Sequence, residues 1–544
     1  MSRRGLQLVV TVCLLSGGLL AIFVQPAARG STSRARAGGV FRISLPGLDY
    51  IDPALSYTVQ GWALIDTTCA RLMTHPDKPP PEGYRLVPEV ATGYPSVSQD
   101  GKTWTFILRS GFRFSDGTPV RASAFARAIN RTLAPGVRSA GAQYTQDIVG
   151  AGDVQAGKSA SAVGVVARGS RLVVRFTRPI PDFPARTTMP FFCAVPPTLP
   201  ADPEGRGAPL PGAGPYYVAE YRTGQRLVIK RNRFYGGNRR HHVDAFVADL
   251  GAGSPGEVLD RIERGEADWG DPGAPARYFE PGRRLVAKYG LNRSQFFVKP
   301  GLGFLSYALN TSRPLFRNNA RLRRAVNFAI DRRALVLAAG TPLFASATDQ
   351  LLPPGLPGFK DARIYPLAGP ELGKSRALAH GQTRKGKAVL YTIDSPPALA
   401  RAQIVSQNLA KIGLAVEVKG IPEPAFWGRL NTPGEPYDIA FLGWFPDYLD
   451  PFTFINQLLD GRFIGTSNAA RFNSAKYNAL MRRAARLRGD ARYRAYGRLD
   501  VQLSRDAAPL IPIFRPNAAT LVSKRVGCVV LRPTLDLTTV CLKQ

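Results

Sequence analysis

The sequence predicts an α/β protein of more than one domain, and three observations carry that reading. A chain of 544 residues exceeds what one hydrophobic core usually serves, so two or three domains are expected. Residues 388–392 and 414–418 are strand-like apolar runs flanking a helical stripe of Ala402, Val405, Leu409 and Ile412, which Gly413 stops. Such a β–α–β unit implies parallel strands and a covering helix. Residues 437–442 form a nearly continuous apolar run, the pattern of a strand buried on both faces. Gly443 is expected to end that strand, and Asp450-Pro451 to open a helix with a carboxylate cap and a proline at the first helical position. Phe452, Ile455 and Leu459 then share one face. Trp444, Phe445, Asp447 and Tyr448 thus fall just past the carboxyl end of a central strand, where open α/β sheets bind ligands.

The other elements follow in chain order. Residues 38–44 read as a first strand, and Asp52-Pro53 as a turn into a helix through Trp62, Leu64, Ile65 and Leu72. The proline-rich residues 75–88 read as a loop and a subdomain boundary. Trp104, Phe106 and Leu108 alternate as in a half-buried strand, and Ser115-Asp116-Gly117 is a turn. Phe125, Ile129 and Leu133 mark a helix, residues 172–176 a strand, and residues 179–203 a proline-rich loop. Residues 245–250 are strand-like. Amphipathic helices follow at Leu322, Val326, Ala329 and Ile330, and at Tyr477, Leu480, Ala484 and Leu487, the latter continued by Tyr496, Leu499 and Leu503.

Net charge is +33, with 72 Lys and Arg against 39 Asp and Glu. A nucleic-acid partner requires that charge to be focused on one face, whereas here it is scattered, with clusters at 317–333 and 482–498 on amphipathic helical patterns. No RNP sequence, zinc-finger spacing or basic zipper accompanies it, so an arginine-rich surface is the expectation, with no nucleic-acid partner. Arg3-Arg4, an uncharged stretch over residues 5–24 and small residues around Ala27-Ala28 and Ala35-Arg36-Ala37 have the form of an export signal. The stretch is also near bilayer-spanning length, so residues 1–37 are either a signal peptide or an N-terminal anchor. Cys13 lies inside it. Cys69, Cys193, Cys528 and Cys541 remain, an even number that suits two disulfides in an exported chain. Cys528 and Cys541 would close a short loop, so the expected pairs are Cys528–Cys541 and Cys69–Cys193, with buried free thiols as the alternative.

Signals for catalysis, cofactors and metals are weak. Gly251-Ala252-Gly253-Ser254-Pro255-Gly256 fits a dinucleotide-binding GxGxxG, but Pro255 removes one of the N–H groups a pyrophosphate would use. A plain loop before a helix explains it as well, and no cofactor is expected. His75, His241, His242 and His380 form no H-E-x-x-H, and the cysteines no C-x-x-C, so no metal site or catalytic residue is assigned. Asp447 and Asp450 are a carboxylate pair of the kind a glycosidase uses, but capping suffices for Asp450. Nothing local demands Asp447. A carboxylate among aromatic rings suits a cationic ligand group through charge-assisted hydrogen bonds.

Residues 104–130, WTFILRSGFRFSDGTPVRASAFARAIN, resemble the first-lobe signature of the extracytoplasmic solute-binding proteins of family 5, the oligopeptide-, dipeptide- and nickel-binding components of ABC importers. Later segments agree in order. These are Gly214-Pro215-Tyr216; Lys230 to Tyr235 with Val243-Asp244, where Arg233 replaces the usual proline; Gly265-Glu266-Ala267-Asp268-Trp269; and Leu309-Asn310-Thr311 through Arg323-Arg324-Ala325 to Asp331-Arg332. Gly443, Trp444, Asp447, Tyr448, Asp450 and Pro451 match the family's GW-x-x-DY-x-DP motif. The resemblance implies two α/β lobes of the periplasmic-binding-protein type with an extra insertion subdomain and a ligand cleft between the lobes. It places lobe I at 38–300 with the insertion at about 79–210, lobe II at 301–512, and a C-terminal segment at 513–544 returning to lobe I. Hinge crossings are expected near 295–305 and 510–516. It also implies a role for Asp447, pairing with a peptide's free α-amino group, with Trp444, Tyr448 and Trp427 as walls and Tyr57, Trp62, Tyr307 and Asn310 as further contributors. The implied function is capture of peptides or a related small solute by a non-enzymatic, monomeric protein outside the cell membrane. Delivery is to a membrane permease with its ATPase subunits. A secreted hydrolase and a basic nucleic-acid- or envelope-binding protein are the alternatives.

Overall fold

A computed structural model describes residues 35–200, 210–271, 279–339, 342–383, 386–532 and 535–543. The expected export segment therefore falls, up to residue 34, outside the described residues. Among the described residues no helix is long and apolar enough to cross a membrane.

The largest sheet carries the second half of the chain. Its strands run in the order Phe296–Pro300, Leu510–Leu521, Phe304–Leu309, Ile439–Trp444, Ala388–Ile393 and Val416–Ile421, with Ala345–Ala347 also paired to Leu510–Leu521. The β–α–β unit is present: Ala388–Ile393 and Val416–Ile421 are parallel, joined through helix Pro396–Ala410. Ile439–Trp444 is central and nearly fully buried through Leu442. It lies parallel to Ala388–Ile393 but antiparallel to Phe304–Leu309. The strand does not stop at Gly443. With no side chain to place, Gly443 stays in the ladder opposite Leu305, and Trp444 pairs with Phe304 before the chain leaves the sheet.

The first half builds a five-stranded and a four-stranded sheet, besides the two-stranded pair Met73–Thr74 and Val87–Pro88. Five strands are ordered Trp269–Gly270, Val40–Ser44, Ala245–Asp249, Arg226–Arg231 and Tyr216–Arg222. Four more, Ser96–Val97, Thr103–Ile107, Arg171–Arg175 and Val165–Arg168, form an antiparallel sheet on which helix Ala122–Leu133 packs. The proline-rich stretch is mostly irregular chain over its described residues 179–200, as expected, but it is largely buried. Phe183, Phe191 and Phe192 are buried in the core of this second sheet, in a short helix Phe183–Arg186 and a 3-10 turn Pro190–Phe192. The expected helix after Asp52-Pro53 spans Val59–Thr68 and ends before Leu72.

Two features join the halves. Strand Leu510–Leu521 pairs with Phe304–Leu309 through Leu510–Phe514, then with Phe296–Pro300 through Asn517–Leu521, so one strand runs from one half into the other. After it, Val526–Cys528 pairs with Cys541–Lys543, which in turn pairs with Ala35–Arg36. Both expected cysteine pairs are bonded, Cys69–Cys193 with Cα atoms 5.4 Å apart and Cys528–Cys541 with Cα atoms 4.9 Å apart.

Candidate functional site

The loop between strand Ile439–Trp444 and helix Pro451–Leu459 faces the first half of the chain, and local chemistry fixes both of its ends. Asp450 caps the helix by accepting from the Phe452 N–H at 2.8 Å. It is also buried against Arg492, whose Nη2 donates to it at 2.6 Å. A buried pair of this kind holds only if both charges are satisfied, so Asp450 is a structural anchor. Tyr448 is buried within the core of the first half, among residues such as Phe191 and Phe192. Its hydroxyl donates to Asp182 Oδ2 at 2.5 Å and accepts from Gln457 Nε2 at 3.1 Å. Burial alone would raise the Asp182 carboxyl, but Arg186, donating at 2.8 Å, and the Tyr448 hydroxyl hold it below its usual value. Tyr448 is therefore a plug between the two halves, with its polar end already engaged.

Asp447 sits between these anchors, and both of its oxygens accept from tyrosines of the opposite half. Tyr57 donates to Oδ1 at 2.9 Å and Tyr144 to Oδ2 at 2.5 Å. Burial, then the neighbouring Asp447 carboxylate, push the Tyr144 phenol far above its usual value, so it stays a donor. Tyr57, which is 44% exposed, is raised by burial and by Asp447 as well. Its position is set by the turn before helix Val59–Thr68. Asp49 accepts from the Tyr57 N–H at 2.6 Å and from Ser56 Oγ, and Thr58 caps the helix through the Gly61 N–H at 3.1 Å. A Cβ on Gly61 would lie 2.2 Å from Ser56 Oγ, so this turn requires glycine there. The rings form one cluster: Tyr57 meets Trp62 at 5.7 Å and Phe191 at 5.9 Å, and Tyr144 stacks on Phe191 at 6.0 Å. The Trp62 indole donates to the Ser56 carbonyl at 2.8 Å. Beside the cluster is a cavity of about 270 Å³ lined by Trp62, Asp447, Tyr448 and Leu449, with Asp66, Arg71 and Arg532 in its polar wall.

Of the residues expected from sequence, Asp447, Tyr448, Tyr57 and Trp62 are brought together here. Trp444 lies on the opposite strand face from Phe441, packed against the second-half core, with its buried indole N–H lacking a hydrogen-bond partner among the described residues. Trp427 is exposed on helix Glu423–Asn431, its ring edge-on to Phe426. Asn310 is placed elsewhere: it is buried, with its amide donating to the Tyr437 carbonyl at 2.9 Å and its carbonyl accepting from Ser312. Tyr307 is fully buried against Phe441 at 6.0 Å, with a hydroxyl that has no partner among the described residues. The Arg401 guanidinium lies over the same Phe441 ring, 5.9 Å from its centre. Among the described residues it makes no hydrogen bond or ion pair, and burial lowers it from the usual arginine value. Tyr144, Phe191 and Arg401 were not anticipated. Tyr144 lies 303 residues from Asp447, beyond the reach of any local pattern. Among the described residues no cluster of His, Cys, Asp or Glu is arranged to hold a metal.

Comparison with known proteins gives one consistent answer. Residues 85–465 match the family described as bacterial extracellular solute-binding proteins, family 5, middle region. The periplasmic oligopeptide-binding protein OppA of Escherichia coli strain K12 is 27% identical over 468 residues, which is 81% of each chain. The probable D,D-dipeptide-binding periplasmic protein DdpA of the same organism is 26% identical over 503 residues, 89% of this chain and 90% of that one. Among solved structures, the clavulanic acid biosynthesis oligopeptide binding protein 2 superposes with a TM-score of 0.79 at 25% identity, covering 94% of this chain and 96% of that one.

Proposed function

The chain belongs to the bacterial extracellular solute-binding proteins of family 5, and from that premise we propose that it captures peptides with a free amino terminus between two lobes. The peptides pass to the permease of an ABC importer. The single observation that carries the site is the Asp447 carboxylate, held at the junction of the two halves by Tyr57 and Tyr144. A carboxylate has about four lone-pair positions, so two phenols leave room for an ammonium group. The ammonium gains charge-assisted bonds there, and the phenols keep the carboxylate oriented for it.

The opposite terminus of the peptide has a counterpart in Arg401. A guanidinium with no ion-pair partner among the described residues, beside an aromatic ring on the helix packed over the Tyr307–Phe441 face of the central sheet, suits a carboxylate. Phe441 and Asp447 are six residues apart on a chain that leaves the sheet after Trp444, a reach of at most about 20 Å. That interval accommodates a short extended peptide. Phe445, 64% exposed, and Trp427 supply apolar surface near this path.

Lobe closure supplies the rest of the mechanism. The hinge is assigned to residues 300–304 and 514–517, where strand Leu510–Leu521 exchanges one partner strand for the other. A ligand that touches both lobes binds the closed arrangement better and shifts the equilibrium toward it. The protein acts as a monomer outside the cell membrane, its first 37 residues serving as export signal or anchor. Mass spectrometry of the solute that copurifies with the exported protein tests the reading. Peptides with free amino termini are expected; a copurifying sugar or metal complex would replace it.

A further inference from the structure

A second cavity lies where the four-stranded sheet of the first half meets the second half, separate from the Asp447 cluster. It measures about 240 Å³. One wall comes from the hairpin around Tyr94, Asp100 and Trp104 together with Pro179 and Pro181; the other is the end of helix Ala475–Arg486 and the turn after it. That second wall presents Arg482, Arg486 and Arg488, while Arg462 approaches from a neighbouring turn.

The charges in this cavity do not balance. Arg462 is already held by Asp460, with an Nη2 to Oδ2 distance of 2.7 Å. Asp100, the one carboxylate in the lining, accepts from Ser98 Oγ at 2.5 Å and from the Lys102 N–H at 3.0 Å. Among the described residues Arg482, Arg486 and Arg488 have no carboxylate partner; the Arg488 guanidinium instead lies over the Tyr94 ring at 5.4 Å. Arg482 and Arg486 are one helical turn apart, where like charges repel. The helix C-terminus relieves part of that repulsion, but an ordinary solvated arginine face has no concave apolar wall opposite it. Here Trp104, Val97, Pro179 and Pro181 provide one.

We propose that this cavity is a binding site for a small, multiply charged organic anion, with its charged group on Arg482, Arg486 and Arg488 and its apolar body against the Trp104–Pro179–Pro181 wall. Guanidinium groups match the planar oxygen pairs of phosphate and carboxylate groups. The volume, below the roughly 300–1,000 Å³ of a drug-sized site, limits the body to about one ring.

The site is read with phenyl phosphate as probe, by calorimetry on the full exported chain without peptide, so the outcome does not depend on the peptide-binding reading. Phenyl phosphate is expected to bind at one equivalent, and at least about tenfold more tightly than inorganic phosphate. Arg482→Gln/Arg486→Gln is expected to lower that affinity by at least about tenfold while leaving the thermal melt of the protein unchanged. Gln99→Trp, which narrows the mouth without altering charge, is expected to lower it as well. Wild-type affinity in the double arginine variant overturns the proposal, and so does inorganic phosphate binding as tightly as phenyl phosphate.

Discussion

Tyr144 donates its phenolic proton to Asp447 at 2.5 Å across 303 residues of sequence, and the bond ties helix Ala142–Thr145 of the first half to the loop after the central strand of the second. It is a bond to a charged acceptor, of the class that contributes about 1.5–3 kcal/mol. Because it spans the two halves, it favours the closed arrangement proposed for the liganded protein. Tyr144→Phe, which keeps the ring on Phe191, is expected to weaken peptide binding by about tenfold while leaving the melting temperature nearly unchanged. Calorimetry beside a thermal melt separates the two effects. Unchanged affinity would remove Tyr144 from the site.

Asp450 is expected to behave in the opposite way from its neighbour three residues earlier. Its carboxylate caps helix Pro451–Leu459 and neutralises Arg492 in a buried pair, both residues being only 4% exposed. Asp450→Ala leaves a buried arginine uncompensated, which costs about 3–5 kcal/mol of stability. Denaturant unfolding should show that loss. Asp447→Asn, whose carbonyl still accepts from tyrosine, should lose little in the same assay.

The two disulfides should differ in weight. Cys528–Cys541 closes a separation of 13 residues and Cys69–Cys193 one of 124. In the chain-entropy account the short loop contributes about 3 kcal/mol and the long one nearer 5. Cys69→Ser/Cys193→Ser should therefore lower the unfolding midpoint more than Cys528→Ser/Cys541→Ser. Equal shifts would mean that the unfolded chain is already compact across the longer loop.

His75 provides a test with pH. Burial first, then the neighbouring Arg532, lower its pKa to about 3, while the Arg85 carbonyl works against them. Between the usual value near 6.5 and about 3, the unfolded chain binds a proton that the folded chain does not. The contribution of His75 to stability is thus full above that window and is lost as pH falls through it. His75→Gln should flatten the dependence of melting temperature on pH between about 6.5 and 3. A profile identical to wild type would show that His75 titrates freely in the folded protein.

Much of the second half was legible because its signals are local. The β–α–β unit at 388–421 shows a helical stripe between two apolar runs, and Asp450-Pro451 states its helix start in two residues. Local patterns failed where a distant surface decides. Prolines between 179 and 203 suggested a loop, and residues 179–200 are mostly irregular chain, but no local pattern showed that Phe183, Phe191 and Phe192 fill the core of the four-stranded sheet. Gly443 suggested a stop, but glycine only weakens a ladder, and here its cross-strand partner Leu305 still pairs with it. Asp447 was readable as a carboxylate without a local task. Tyr144 was not, since its only distinction is the residue it meets in three dimensions. Tyr307 and Asn310 lie beside the expected lobe crossover in sequence, but strand alternation and a buried amide turn both into core.

The central claim is that Asp447 receives a ligand's free α-amino group. Calorimetric titration of one tripeptide, with its terminus free and N-acetylated, into wild type and Asp447→Asn tests it most directly. Wild type should bind the free form at least about a hundredfold more tightly than the acetylated one, and Asp447→Asn should erase most of that difference. Equal affinity of wild type for both forms, or an undiminished preference in Asp447→Asn, would contradict it.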